Sequence, residues 1–371
     1  MSGGNKVIAI YAKALADRGH RVSIVAPAHP KVTLKQRIKA LVKTRKWLRQ
    51  PAHHPSHLDG LGLDCRILDR FRPVTDADVA DADVVIATWW ETAEWVAKLS
   101  SAKGAKVYFV QHHEVFHYLP VERARATYKL PMQKIVIARW LQDLMAVEYG
   151  DTSAVLVRNA VDHEQFCAPP RGKQKVPTIG FLYAPIHFKG TDVTLQAIDR
   201  LRQRIPNLRV IAFGIFQPDL NFDKNIEFHY SPPQQQIRQL YAQCDVWVTA
   251  SRSEGFNLPA MEAMACRTPV VSTRTGWPEE GIETGRNGVL VDVDDVDALA
   301  EGIQWVLRLA EADWSMVSSH AYETVAGYSW ENSSLQFEQA LHQACLANYQ
   351  MNGEGQVEGT QDFASILASN H

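Results

Sequence analysis

Short apolar runs alternate with amphipathic stretches along nearly the whole chain. RVSIVAP, DVVIAT, KVYFVQ and AVLVRN in the first half read as short buried strands. TIGFLY, LRVIAFG, DVWVTAS, TPVVST and GVLVDV repeat the pattern in the second half. Between them, NKVIAIYAKALADRG places Val7, Tyr11, Ala14 and Arg18 on one helical face, with Gly19 as its stop. TDVTLQAIDRLRQRI and DDVDALAEGIQWVLRLA carry the same helical period. Such alternation predicts parallel sheets with helices on both faces. A composition shift at APPRGKQKVP, Ala168 to Pro177, predicts a linker. The expected fold class is therefore α/β, two doubly wound Rossmann-like domains facing a cleft. One element is lacking. A Gly-Gly turn, Gly3-Gly4, stands almost at the start, and nothing before it could form the strand that normally delivers the chain into such a turn. The first strand of the N-terminal domain is expected to be missing, through a late start or, as the alternative, a truncation.

Composition narrows the class. The chain has 371 residues, enough for two cores, with 46% hydrophobic and 22% charged residues, as in ordinary globular proteins. Cys65, Cys167, Cys244, Cys266 and Cys345 are scattered without a C-x-x-C pair, which argues against a disulfide framework and for a reducing cytoplasm. No apolar run approaches the roughly 20 residues of a membrane span, and the opening is amphipathic, unlike a signal peptide. Charge is polarised: Arg18 to Gln50 holds ten Lys or Arg and no acid, so the formal −2 of the chain leaves −12 for the rest. Within this segment Leu34, Ile38, Leu41, Val42 and Leu48 share one helical face, weakened by Arg45, and Lys35, Lys39, Lys43 and Lys46 an adjacent one. A basic amphipathic helix over residues 31–50 can lie on an anionic membrane surface. It brings no recognisable nucleic-acid module, and a core-packed helix with a solvated basic face is the plainer alternative.

The stretch SEGFNLPAMEAM, Ser253 to Met264, carries the candidate chemistry. Asp245 to Ala250 reads as a strand, Ser251 to Leu258 as a turn, and Pro259 as the first helical position. Phosphate could rest on the free N–H groups of that helix start. Glu262, in the first turn, could accept from two adjacent ribose hydroxyls. Glu254 and the backbone of Gly255, Phe256 and Asn257 would line the other end of the ligand. A surface turn with a dipole-stabilising Glu fits the same spacing.

DVWVTASRSEGFNLPAMEAMACRTPVVSTRTG closely resembles the E-x7-E segment of retaining family-four glycosyltransferases. GGNKVIAIYAKALADRGHRVSIVAP is similar to that family's Gly-Gly loop and helix, and VRNAVDHEQF to its domain-crossover segment, with Arg158 and Ala160 in place of Pro and Gly. HFKGTDVTLQAIDRL resembles its Lys-Gly helix start, and YSWENSSLQFEQAL the C-terminal helix that returns to the first domain. The resemblance implies the GT-B fold: an acceptor-side domain over 1–166 with a helix over 329–350 returning to it, and a nucleotide-sugar domain over 167–328. The polar tail 351–371 is expected to be disordered.

The resemblance also implies roles. His112, Lys189 and Glu254 would stand at the reacting centre, Lys189 as the phosphate cation and Glu254 orienting the donor sugar. Gly3, Gly4, Gly255, Phe256, Asn257, Leu258, Glu262, Thr275 and Gly276 would bind the donor, with Glu262 on the ribose; His113 and Glu114 are acceptor-side candidates. Two departures stand out. Ala184 replaces an Arg five residues before Lys189, a gap that His187 or another basic group could fill, and Trp277 replaces a second Gly. The implied reaction moves a sugar from a nucleotide-diphosphate donor to a glycan or lipid-linked acceptor, without metal or other cofactor, at the cytoplasmic membrane face. The alternative is a GT-B protein that binds a nucleotide or glycan without turnover. Asp76-Ala77-Asp78 and Asp81-Ala82-Asp83 imitate a metal-binding D-x-D but precede their strand, and His53, His54 and His57 read as a loop beside the basic helix. No G-x-G-x-x-G follows a strand, so a nicotinamide site lacks its fingerprint.

Overall fold

The computed structural model describes residues 3–28, 33–35, 37–38, 41, 56–218 and 222–351. Among them, strands are parallel throughout and fall into three sheets. The chain opens with α1 (Gly3–Asp17), so Gly3 and Gly4 form the start of the helix and not a turn ahead of it. A two-stranded sheet pairs β1 (Ser23–Ala26) with β2 (Asp64–Ile67). A four-stranded sheet runs in the order β3 (Val84–Ala87), β4 (Ala105–Val110), β5 (Gln133–Val136) and β6 (Val155–Leu156). No pairing joins these two sheets among the described residues.

Helices α2 (Trp90–Ala97), α3 (Val121–Thr127) and α4 (Arg139–Tyr149) connect the strands of the four-stranded sheet. Its most apolar strand is β4, five of whose six residues are buried. Tyr11 of α1 lies edge-on to Phe109 of β4 at 5.6 Å and stacks on Phe337 at 4.3 Å. Phe337 belongs to the last described helix, 330–351, which therefore packs with α1 onto this first sheet.

The second region holds a six-stranded sheet, β7 (Thr178–Leu182), β8 (Arg209–Gly214), β9 (Ile226–Tyr230), β10 (Val246–Thr249), β11 (Val270–Thr273) and β12 (Gly288–Val291). Its spatial order is β12-β11-β10-β7-β8-β9. Alternate residues of each strand reach opposite cores, as the two-residue period requires. Val246 and Val248 of β10 join α5 (Thr191–Arg202) and a helix over 296–308, while Trp247 faces α6 (Gln234–Ala242) and α7 (Leu258–Ala265). This order has its switch point between β7 and β10, where the connections turn in opposite directions. Ligands of doubly wound sheets bind in the crevice beyond the carboxyl ends of such strands.

Candidate functional site

Both switch-point strands deliver charged residues to that crevice. The chain leaving β7 reaches Lys189, and the chain leaving β10 reaches Glu254. Lys189 Nζ donates to Glu254 Oε1 at 2.7 Å, and Ser251 Oγ donates to the same oxygen at 2.8 Å. Gly190 makes the meeting possible. It has φ +62°, and a Cβ there would stand 1.8 Å from the Ala250 carbonyl oxygen, so only glycine allows the two loops to approach so closely.

Asn257 ends the turn in the left-handed conformation, φ 76°, with its Nδ2 donating to Thr249 Oγ1 at 2.9 Å. α7 starts at Leu258, one residue before Pro259, and this places Glu262 just beyond the first turn. The helix begins as soon as Asn257 has turned the chain. Glu262 Oε2 accepts from the buried Tyr241 hydroxyl at 2.9 Å, and Oε1 from Lys6 Nζ at 3.3 Å. Lys6 belongs to α1, so this pair crosses between the two sheet regions.

Thr275 and Gly276 back the turn: Thr275 Oγ1 approaches the Ser251 carbonyl at 3.4 Å, and Gly276 packs against Glu254 and Phe256. Trp277, standing where a second Gly was expected, donates its backbone N–H to the Phe256 carbonyl and stacks on the Phe256 ring. Phe256 is buried and Leu258 partly so, leaving Gly255 at the crossing. A Cβ on Gly255 would meet the Gln111 carbonyl oxygen at 2.0 Å. Gly4 stands against the Gln111 side chain, and Gly3 is exposed.

The residues of QHHE part company. His112 Nδ1 donates to the His113 carbonyl at 3.0 Å, which leaves Nε2 to accept from Ser253 Oγ at 3.3 Å. Burial lowers its pKa, so it is neutral at pH 7, and it lies close enough to Glu254 and Lys189 for their charges to act on it. His113 turns away: its Nε2 bonds the Tyr149 hydroxyl at 2.6 Å, and burial pushes its pKa down to about 4. Glu114 is buried, accepting the Trp90 N–H at the start of α2 at 2.7 Å and the Tyr108 hydroxyl at 3.3 Å. Burial pushes its pKa up to about 8. Neither His113 nor Glu114 points its functional atoms at Glu254 or Lys189.

Ala184 is buried, its backbone bonded both ways to Thr191 Oγ1, and it offers no cation. Nor does Arg252 stand free, being paired with Asp192 and Asp294 and donating to the His187 carbonyl. Arg158 has a partner in Glu280, at 3.1 Å. Lys6, Tyr241, Ser251 and Ser253 were not singled out from sequence. Only the position of Lys6, two residues after Gly4, could have flagged one of them.

In each of the acidic pairs before β3 one carboxylate is held by a cation. Asp78 is held by Arg72 at 2.6 and 2.7 Å, which lowers its pKa, and Asp81 is paired with Lys103 at 2.6 Å. His20, Glu338 and His342 form the one group of metal-ligand type among the described residues, at the far end of α1 from Lys6. Arg18 and His20 already share Glu338. His53 and His54 lie outside the described residues, as do Val42, Leu48 and most of the basic segment. In its described part Leu34, Ile38 and Leu41 are helical and exposed, at 65%, 51% and 42%. The tail 352–371 also lies outside. No described helix is long and apolar enough to cross a membrane.

Residues 173–308 match the family described as Glycosyl transferases group 1. A D-inositol 3-phosphate glycosyltransferase of Mycobacterium marinum is 32% identical over 221 residues, covering 52% of this chain and 46% of that protein. A GDP-mannose-dependent alpha-(1-6)-phosphatidylinositol monomannoside mannosyltransferase of Mycolicibacterium smegmatis is 25% identical over 193 residues, covering 45% of this chain and 50% of that protein. The matches thus span about half the length of these curated relatives. Among solved structures, a sucrose-phosphate synthase from Thermosynechococcus elongatus superposes with TM-score 0.69 at 17% identity, covering 93% of this chain and 94% of that one. Anabaena HepE in complex with UDP and glucose gives TM-score 0.69 at 18% identity, covering 92% and 96%. The fold is GT-B, with parallel-sheet α/β regions meeting across a cleft.

Proposed function

We propose that the chain is a retaining glycosyltransferase that moves a sugar from a nucleotide-diphosphate donor to a glycan or lipid-linked acceptor, in the making of a cell-surface polysaccharide or glycolipid. The observation that carries this reading is the convergence of Lys189 and Glu254 beyond the switch-point strands, with Glu262 one helical turn further on. The match of residues 173–308 and the UDP-bound HepE neighbour support it.

In this reading Glu262 accepts from the ribose hydroxyls, Glu254 orients the donor sugar, and Lys189 moves from Glu254 onto the diphosphate. As the bond from C1 to the β-phosphate oxygen breaks, its electron pair goes to that oxygen. The acceptor oxygen forms the new bond to C1 on the same face, and its proton passes to a phosphate oxygen of the leaving group. Lys189 and backbone N–H groups meet the growing charge in a partly desolvated cleft, where such contacts are strong; the reading needs no metal. Neutral His112, with Nε2 toward Ser253, is placed to accept from a sugar or acceptor hydroxyl. Residues 31–50 would hold the protein to the cytoplasmic face of an anionic membrane.

The second reading, binding without turnover, draws on buried Ala184, which brings no cation to the crevice. Calorimetry with UDP, GDP, dTDP and ADP on the wild type and Glu262→Ala tests the shared site. Selective binding of one nucleotide that Glu262→Ala loses is the expected result; equal affinity in the variant removes the ribose assignment. Turnover of the matching nucleotide sugar then separates the two readings.

A further inference from the structure

Among the described residues, Lys6 is the first-domain cation that reaches a glutamate of the E-x7-E pair. Its Nζ lies 3.3 Å from Glu262 Oε1 and 5.3 Å from the Phe166 ring centroid, and its side chain keeps 25% of its exposure. Among the described residues near the cleft, Arg252 is committed to Asp192 and Asp294, and Arg158 to Glu280. Lys189 is the cation paired with Glu254 among the described residues. The first turn of α1 contains no acid, so the positive end of its helix dipole and Lys6 present positive charge together. His57 reports the same field, since Lys6 adds to burial in lowering its pKa. Beside them, the Gln111 side chain packs on Gly4, its buried Oε1 without a hydrogen-bond partner among the described residues.

Resting on the glycosyltransferase reading, we propose that Lys6 is the second cation for the donor diphosphate, supplied across the cleft and parked on Glu262 while the cleft is empty. The ligand itself dictates the exchange. Tyr241 already fills Glu262 Oε2, so a ribose hydroxyl arriving at the carboxylate competes with Lys6 for Oε1. A lysine ammonium on a flexible four-carbon stem yields and reorients easily. The nearest anion it then meets is the diphosphate attached to that same ribose. Glu262 is thereby freed for the hydroxyls, and Lys6 adds to Lys189 the charge that Ala184 does not bring. The device makes the cleft favour nucleoside diphosphates over nucleosides, because only a phosphate-bearing ligand repays Lys6 for its lost carboxylate.

The test compares a nucleoside with its diphosphate on three proteins. Calorimetry gives Kd for the selected diphosphate and for the bare nucleoside with wild type, Lys6→Met and Lys6→Arg, with thermal unfolding to confirm folding. Lys6→Met should lower the preference for the diphosphate about tenfold, the scale of one charge-assisted contact. Nucleoside affinity should hold or rise as Glu262 loses its competitor, and Lys6→Arg should keep most of the preference. An unchanged preference in Lys6→Met, whether both affinities rise or both fall, overturns the proposal and leaves Lys6 a simple clasp. Absence of any nucleotide binding by the wild type overturns the glycosyltransferase reading itself, and this inference with it.

Discussion

Glu114 shows what a single buried carboxyl costs. It sits under Trp90, Tyr108 and Tyr128, with Tyr118 near enough to feel its charge, and burial outweighs its two hydrogen bonds in raising its pKa from 4.5 to about 8. The folded state therefore holds a proton that the unfolded chain releases between those values. Stability from this group is full below pH 4.5 and is lost as pH rises toward 8. Glu114→Gln keeps the shape and removes the ionisation. Thermal unfolding of both proteins should give a difference in Tm that moves in favour of the variant from pH 5 to pH 8; parallel curves would show that Glu114 does not titrate in this window. At this scale the sequence was informative where function and local chemistry coincide. Glu254 and Lys189 were singled out through the resemblance of their motifs, since Lys189 alone reads as a solvated loop lysine, and the structure brings the two together. Glu114 was placed among acceptor-side residues because it follows His112 and His113, yet it turns into the core. Tyr241 and Lys6 were invisible as partners of Glu262, Lys6 being separated from it by 256 positions.

Elements divide along a similar line. Several strands read from continuous apolar runs have both faces covered, such as β8 and β10, whereas β1 and β6 have no buried residue. Three were not singled out: β2 (DCRI), β5 (QKIV) and β9 (IEFHY). β2 is exposed along its length and β9 has only one buried residue, so neither carries the apolar run that marks a buried strand. β5 is short and opens on Gln133 and Lys134, whose side chains are satisfied by backbone carbonyls. AVLVRN promised a longer strand than the two residues of β6, because the chain leaves the sheet edge at Val157. The basic segment is legible in another sense. Leu34, Ile38 and Leu41 share a helical face, and the structure leaves all three exposed. An apolar face left exposed among the described residues, in a sequence rich in lysine, would suit an anionic bilayer, where each basic residue near the surface contributes about 1 kcal/mol. Replacing Lys35, Lys39 and Lys43 together by Gln should cut co-sedimentation with phosphatidylserine-containing vesicles severalfold or more at low salt. Undiminished sedimentation would return the segment to a structural role.

At the scale of the molecule, alternation of strands and helices was enough to foresee parallel-sheet α/β regions facing a cleft, because covered parallel strands leave so plain a pattern. How the regions grip each other was not foreseeable, since the grip depends on residues far apart in sequence. Glu280 is one point of that grip. One carboxylate oxygen accepts the Arg139 N–H at the start of α4 at 2.5 Å, and the other accepts from Arg158 Nε at 3.1 Å. A carboxylate thus caps a helix of the opposite region and neutralises an arginine that stands where a proline was expected. Nearby, Trp140 Nε1 donates to the Gly255 carbonyl at 2.9 Å. Glu280→Ala leaves a helix start and a guanidinium without this partner, a loss of about 1–3 kcal/mol for a partly buried charged contact. A loss of that size is expected to favour a more open arrangement of the two regions. Solution scattering should then report a larger radius of gyration for Glu280→Ala than for wild type. Nucleoside affinity should hold, since Glu262 and Tyr241 both belong to the second region and move together. Donor turnover should fall, because His112 and Lys6 come from the other side. Unchanged scattering with lost nucleoside affinity would mean that Glu280 supports the second region internally and does not hold the cleft shut.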